Sequence, residues 1–132
     1  MAEAVGREIA LRGATLVCGG LGGVMEAAAK GAAEAGGEVL GILPGPDKRS
    51  ANPYVTLAVP TNMGHARNVI IAHTADALIV VEGEYGTLSE TAIGLKLDKP
   101  VFVLPGGQRI KGTVAVDTAE SAVSFAFESL KL

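Results

Sequence analysis

Residues 15–43 read TLVCGGLGGVMEAAAKGAAEAGGEVLGIL, and the order of the parts decides the fold. Thr15-Leu16-Val17-Cys18 is a short apolar run ended by Gly19-Gly20, which predicts a buried strand. Gly22 or Gly23 opens a helix that reaches about Ala35, where Gly36-Gly37 stops it. Its Ala and Gly content lets it approach a sheet closely. Glu38 to Leu43 is a second strand, closed by Pro44-Gly45-Pro46. A strand, a glycine-rich turn, a helix and a second apolar strand make a βαβ unit.

The rest of the chain repeats this alternation. Ala2 to Leu11 predicts a helix with Val5 and Ile9 on its apolar side, ended by Gly13. Pro44 to Tyr54 is a polar loop, and Thr56 to Val59 a short strand. A helix from about Gly64 to Thr74 precedes the strong strand Asp76 to Val81, and a further helix spans about Thr87 to Leu97. Val101 to Leu104 and Val114 to Val116 are the remaining strands. Asp117 is expected to cap a final helix to about Leu130, with Glu120 completing a capping box. Near-continuous apolar strands between helices imply an α/β fold with a parallel sheet covered on both faces. The expectation is one Rossmann-like, doubly wound domain over residues 1–132, with ligands at the carboxyl ends of the strands. The chain opens in a helix, however, where such a sheet normally opens in a strand.

Composition narrows the function classes. The chain has 132 residues, is 48% hydrophobic and carries a net charge of −3. That length suits a single core, and the apolar share excludes a disordered chain. The acidic balance argues against a partner that is a nucleic acid polymer. One cysteine excludes a disulfide framework and a four-Cys zinc site. No apolar stretch is long enough for a membrane span, and no export signal is evident, so a cytoplasmic location is expected.

Three segments could carry chemistry. In Cys18-Gly19-Gly20-Leu21-Gly22-Gly23-Val24-Met25, backbone N–H groups and a helix N-terminus can hold an anion such as a phosphate; the same residues also make an ordinary tight turn. Glu82-Gly83-Glu84-Tyr85-Gly86-Thr87-Leu88-Ser89-Glu90 follows the strongest strand. There Gly86 and Thr87 offer donors to a phosphate and Glu90 lies a turn into the helix; alternatively Thr87 and Glu90 form a capping box. In Asn62-Met63-Gly64-His65-Ala66-Arg67-Asn68, Arg67 can grip a phosphate or carboxylate with two N–H groups, or simply be a surface charge. His65 and His73 lack further ligands for a metal site, and Cys18 reads as a small buried residue.

Together, in this order, these segments resemble the LOG-like ("Lonely Guy") family, historically labelled "possible lysine decarboxylase". The run from Cys18 to Ala27, with Gly41-Ile42-Leu43-Pro44-Gly45 and Ala51-Asn52-Pro53-Tyr54-Val55, adds a likeness to its small bacterial branch, which also resembles molybdenum cofactor carrier proteins. In the family's enzymes, water cleaves a nucleoside 5′-monophosphate to a base and ribose 5-phosphate. The resemblance implies that Gly83, Gly86 and Thr87 cradle the phosphate, that Glu90 stands at the ribose and that Arg67 is the catalytic arginine. Gly19, Gly20, Gly22, Gly23, Met25 and Tyr85 join them as ligand-binding residues. A carboxylate beside the sugar would stabilise the oxocarbenium-like charge of glycosidic cleavage. No cofactor is required for that reaction and no metal is expected. The resemblance therefore implies binding of a phosphorylated, nucleotide-like small molecule, with hydrolysis of its N-glycosidic bond left open; the alternative is a non-catalytic carrier of molybdenum cofactor or a related phosphate-bearing ligand, or a structural oligomer with an eroded site. A homodimer or homotetramer is the expected assembly.

Three features depart from the enzymes. Glu84 replaces the second glycine of Pro-Gly-Gly, and a carboxylate ~4 Å from a phosphate would cost roughly 4 kcal/mol at an effective dielectric of 20. Asn68 replaces a lysine after Arg67. The family's first strand, central in its sheet, has no counterpart ahead of Ala2, so a strand ahead of Met1 is expected in the natural chain. No lysine stands in a cofactor-linking motif that would support decarboxylation.

Overall fold

Helix α1 (Ala2–Leu11) turns at Gly13 into β1 (Leu16–Cys18), followed by α2 (Val24–Glu34) and β2 (Val39–Leu43) in the computed structural model, which describes residues 1–131. Then come β3 (Leu57–Pro60), α3 (Arg67–Thr74), β4 (Leu78–Val80), α4 (Tyr85–Lys96), β5 (Val101–Val103), β6 (Val114–Ala115) and α5 (Ala119–Leu130). All strand pairings are parallel, as the apolar runs between helices require. Leu16 lies beside Val39, Leu40 beside Leu57, Leu78 beside Val101 and Phe102 beside Val114.

The sheet is in two parts, β1-β2-β3 and β4-β5-β6. Each part has its first strand at an edge, and β1 and β4 line opposite sides of a cleft. Burial records this division. Val101 and Val103 in β5, and Val39 and Leu43 in β2, are buried, whereas Val17, Cys18, Leu78 and Ile79 are only half-buried. The segment with the strongest strand signal, Asp76 to Val81, thus supplies an edge.

Helices hold the parts together. Val5 of α1 clusters with Phe102, Leu104, Val123 and Ala126, while Ala2 of the same helix clusters with Leu16, Ala29, Ala32 and Val39. Each fully buried aliphatic side chain contributes about 1.5–3 kcal/mol. The closest approach made by the small residues of α2 is to a helix rather than to the sheet. A Cβ at Gly31 would run into the carbonyl of Glu3, and one at Gly6 into the carbonyl of Ala28. On the other face, Lys99 donates from Nζ to the carbonyls of Ala72, His73 and Ala75 at 2.6–2.7 Å, closing the C-terminus of α3.

The start of α5 differs from the sequence expectation by one residue. Thr118, not Asp117, is the N-cap; its hydroxyl accepts from Ser121 N at 3.1 Å, and Ser121 Oγ accepts from Thr118 N at 3.2 Å. Ser121 therefore fills the capping-box position expected of Glu120, because its short hydroxyl reaches the cap N–H.

Candidate functional site at the carboxyl edge of the strands

The cleft between β1 and β4 has a volume of about 1170 Å³ and is mostly apolar along the strands. Its polar end lies at the carboxyl edge, where Gly19 and Met25, Arg67, Gly83, Gly86, Thr87 and Glu90 all line it. Three segments far apart in sequence meet there because each immediately follows a strand or opens a helix.

Arg67 is the centre of the arrangement. It opens α3, and its side chain is only 12% exposed. Its Nη1 lies 3.7 Å from Glu90 Oε2 and donates to Asn68 Oδ1 at 2.9 Å. Its Nε is buried without a partner among the described residues. Such an orphan donor costs free energy unless something accepts from it. Gly19 is where the guanidinium meets the first glycine-rich turn. A Cβ there would come within 2.8 Å of both terminal nitrogens of Arg67 and 2.5 Å of Met25 Sδ, so only glycine leaves room for that approach.

Glu90 comes from the second turn of α4, and burial pushes its carboxyl up to about 7 against the opposing pull of Arg67. The group is therefore partly neutral near pH 7. Burial likewise raises the Cys18 thiol, opposed by the Gly20 backbone and by Arg67. Cys18 is half-buried rather than enclosed, and it belongs to the wall of the cleft.

The second glycine-rich segment starts its helix earlier than the capping-box alternative requires. Helix α4 begins at Tyr85 with Glu84 as N-cap, so Thr87 lies inside the first turn and cannot cap Glu90's helix. Thr87 Oγ1 occupies the space that a Cβ at Gly83 would need. Glu84 is exposed and outside the cleft lining, so the like-charge penalty expected from it does not apply. Tyr85 is 86% exposed and also outside the lining. Gly20, Gly22 and Gly23 shape the turn rather than line the cleft. Gly23 is the N-cap of α2 with φ +67°, a left-handed conformation that favours glycine.

Two asparagines organise the site, and neither was assigned a role from sequence. Asn52 is buried; its Nδ2 donates to Leu21 O at 2.9 Å, its backbone N–H donates to Gly20 O at 2.8 Å, and its Oδ1 accepts from Tyr54 N. It pins the first glycine-rich turn. Asn68, also buried, accepts from Arg67 and donates from Nδ2 to Ser89 Oγ at 3.2 Å, tying α3 to α4. Asn52 stood in one of the stretches carrying the family resemblance, and that was its only sequence signal. Asn68 shows in the sequence only as the uncharged residue after Arg67. His65 lines the cleft but is exposed, and His73 is exposed outside it. Among the described residues, no group of three or more His, Cys, Asp or Glu is placed to hold a metal ion.

Known proteins share this architecture. The molybdenum cofactor carrier protein of Chlamydomonas reinhardtii superimposes with a TM-score of 0.89 at 34% identity, over 100% of this chain and 87% of that one. The molybdenum cofactor binding protein of the phototrophic bacterium Rippkaea orientalis gives 0.88 at 32% identity, over 99% and 86%. An uncharacterized protein of Archaeoglobus fulgidus is 50% identical over 129 residues, 98% of this chain and 85% of its own length. DNA processing protein A of Helicobacter pylori, at 21% identity and a TM-score of 0.66, shares the fold alone. Residues 1–129 match the SLOG cluster 4 family, and the chain belongs to that family.

Proposed function

We propose that this protein binds and carries a phosphate-bearing pterin of the molybdenum cofactor type without chemically altering it. The observation that carries this reading is Arg67: a nearly buried guanidinium with an unpartnered Nε, held against a glycine at a polar cleft end. A charge-assisted acceptor on the ligand would complete its hydrogen bonding. The glycine-rich turns at Gly19–Gly23 and Gly83–Gly86 lead into the N-termini of α2 and α4, which favour an anion. Met25 offers a soft, adaptable surface for a flat ring. The likeness to proteins named for molybdenum cofactor binding supports the same ligand class.

Hydrolysis of a nucleoside 5′-monophosphate, the LOG-like reading, fits these residues less well. That reaction needs an ionised carboxylate beside the developing positive charge. Glu90 is pushed up to about 7, and the position of the second cation is filled by Asn68, whose amide is committed to Arg67 and Ser89. A partly neutral Glu90 suits a hydrogen bond to a heterocycle better than stabilisation of an oxocarbenium ion.

The test incubates the protein separately with isolated molybdenum cofactor and with AMP. The expected result is co-elution of the pterin on gel filtration, recovered unchanged, and no adenine released from AMP. Failure to retain the pterin, or steady release of adenine abolished by Glu90→Gln, would overturn the proposal.

A further inference from the structure

Adjacent residues on a helix do not face each other, yet the Arg67 side chain bends onto that of the next residue, Nη1 donating to Asn68 Oδ1 at 2.9 Å. The amide that receives it is fixed from both ends. Asn68 Nδ2 donates to Ser89 Oγ at 3.2 Å, and Ser89 Oγ donates its one hydrogen to Gly86 O at 2.8 Å. With that hydrogen spent, Ser89 can only accept from the amide, and a guanidinium can only donate to it. A turned amide would set two donors against each other at Arg67. The three bonds therefore run in one direction, from the guanidinium on α3 to the backbone of α4. Asn68 is buried, so little water competes for them.

Two properties of the site follow. First, the group that holds Arg67 is neutral. Glu90 Oε2, at 3.7 Å, lies beyond hydrogen-bond distance, and burial favours the uncharged form of its carboxyl. The charge of the guanidinium is thus left for a ligand. Second, Gly86 C=O and Thr87 N–H belong to one planar peptide and point opposite ways. By holding the carbonyl, Ser89 also fixes that N–H, one of the first in α4, which have no acceptor within the helix. A Cβ at Gly86 would lie 3.7 Å from Asn68 Nδ2, so the same amide packs beside that peptide.

We propose that Asn68 and Ser89 are positioning residues: together they aim the Arg67 guanidinium and the Thr87 N–H at one anionic group, and the neutrality of Asn68 sets a preference for a phosphate monoester over the same pterin without its phosphate. The proposal rests on the reading that this cleft end receives the phosphate of a pterin. An aspartate at 68 would neutralise Arg67 before the ligand arrived and repel the phosphate. Loss of the Ser89 hydroxyl would release the amide, the guanidinium and the Gly86–Thr87 peptide together. Ser89 is exposed, so its replacement leaves the core intact.

The experiment records the Arg67 Nε–H signal by NMR in the ligand-free wild type and in Asn68→Asp, Ser89→Ala and Ser89→Thr. Each is then titrated with isolated molybdenum cofactor and with the same pterin after phosphatase treatment. The expected wild-type signal is sharp and slow to exchange. Ser89→Ala should broaden it and weaken cofactor binding by at least about threefold, the loss of an oriented hydrogen bond. Ser89→Thr, which keeps the hydroxyl, should restore both. Asn68→Asp should weaken cofactor binding by at least about tenfold, with little change toward the dephosphorylated pterin or in circular dichroism. An unchanged Nε–H signal in Ser89→Ala would overturn the positioning role. Equal weakening toward both pterins in Asn68→Asp would overturn the phosphate preference. A wild type that retains neither pterin would overturn the carrier reading and that preference with it, while the Nε–H comparison still decides whether Asn68 and Ser89 hold Arg67.

Discussion

Arg67 and Gly19 are coupled through space, and this sets expectations for single substitutions. Arg67→Ala removes a charge-assisted donor pair from a nearly buried position. It should weaken binding of molybdenum cofactor by about 1.5–3 kcal/mol, roughly 10- to 150-fold, measured by fluorescence titration. Gly19→Ala places a methyl group against the guanidinium and Met25 Sδ. Both neighbours are flexible side-chain ends, so the fold should survive while the guanidinium is displaced. Affinity should fall with little change in circular dichroism.

Glu90 makes stability depend on pH in a direction opposite to that of a salt-bridged carboxylate. Its carboxyl is raised from 4.5 to about 7 in the folded chain, so folding favours the protonated form. That contribution is complete below pH 4.5 and is lost as pH rises to about 7; the shift corresponds to about 3 kcal/mol. Urea denaturation at intervals from pH 4.5 to 8 should show this decline, and Glu90→Gln should flatten it. The residue-level chemistry was partly legible in the chain, since Arg67, Glu90 and the glycines stood out by type and position. Asn52 and Asn68 did not, because a buried asparagine is recognisable only by the distant partners it binds.

At the scale of elements, α1 and α2 cross where Gly6 and Gly31 leave backbone against backbone. Propensity alone says that glycine to alanine in a helix gains about 1 kcal/mol. Here the added methyl would meet a carbonyl that cannot move without shifting a helix. Gly6→Ala and Gly31→Ala should each therefore destabilise by about 1–3 kcal/mol in chemical denaturation. Element types were readable because apolar runs and glycine stops are local. Their ends were less so. The α5 cap fell on Thr118 and the α4 start on Tyr85, since several polar residues in each junction could have served and tertiary packing chose among them.

At the scale of the molecule, the ligand site bridges the halves. Gly19 and Arg67 belong to the β1-β2-β3 side and its following helix, whereas Thr87 and Glu90 belong to α4 after β4. A ligand gripping both should stabilise them jointly. At a hundred times its dissociation constant, molybdenum cofactor should add about 2.7 kcal/mol, a rise of about 8–12 °C in melting temperature for a domain of this size. The Arg67→Ala variant should lose most of that rise at the same concentration.

The sequence by itself determined the alternation of strands and helices, the parallel pairing and the placing of glycine-rich turns at strand ends. These follow from local periodicity and the backbone demands of turns, which each segment carries within itself. Only the tertiary structure decided that Gly19, Arg67 and Glu90 share one cleft end, that Tyr85 and Glu84 turn away, and that β1 and β4 are end strands of two separate sheets. Those outcomes depend on which surfaces exclude water from one another, and that is a property of the assembled chain.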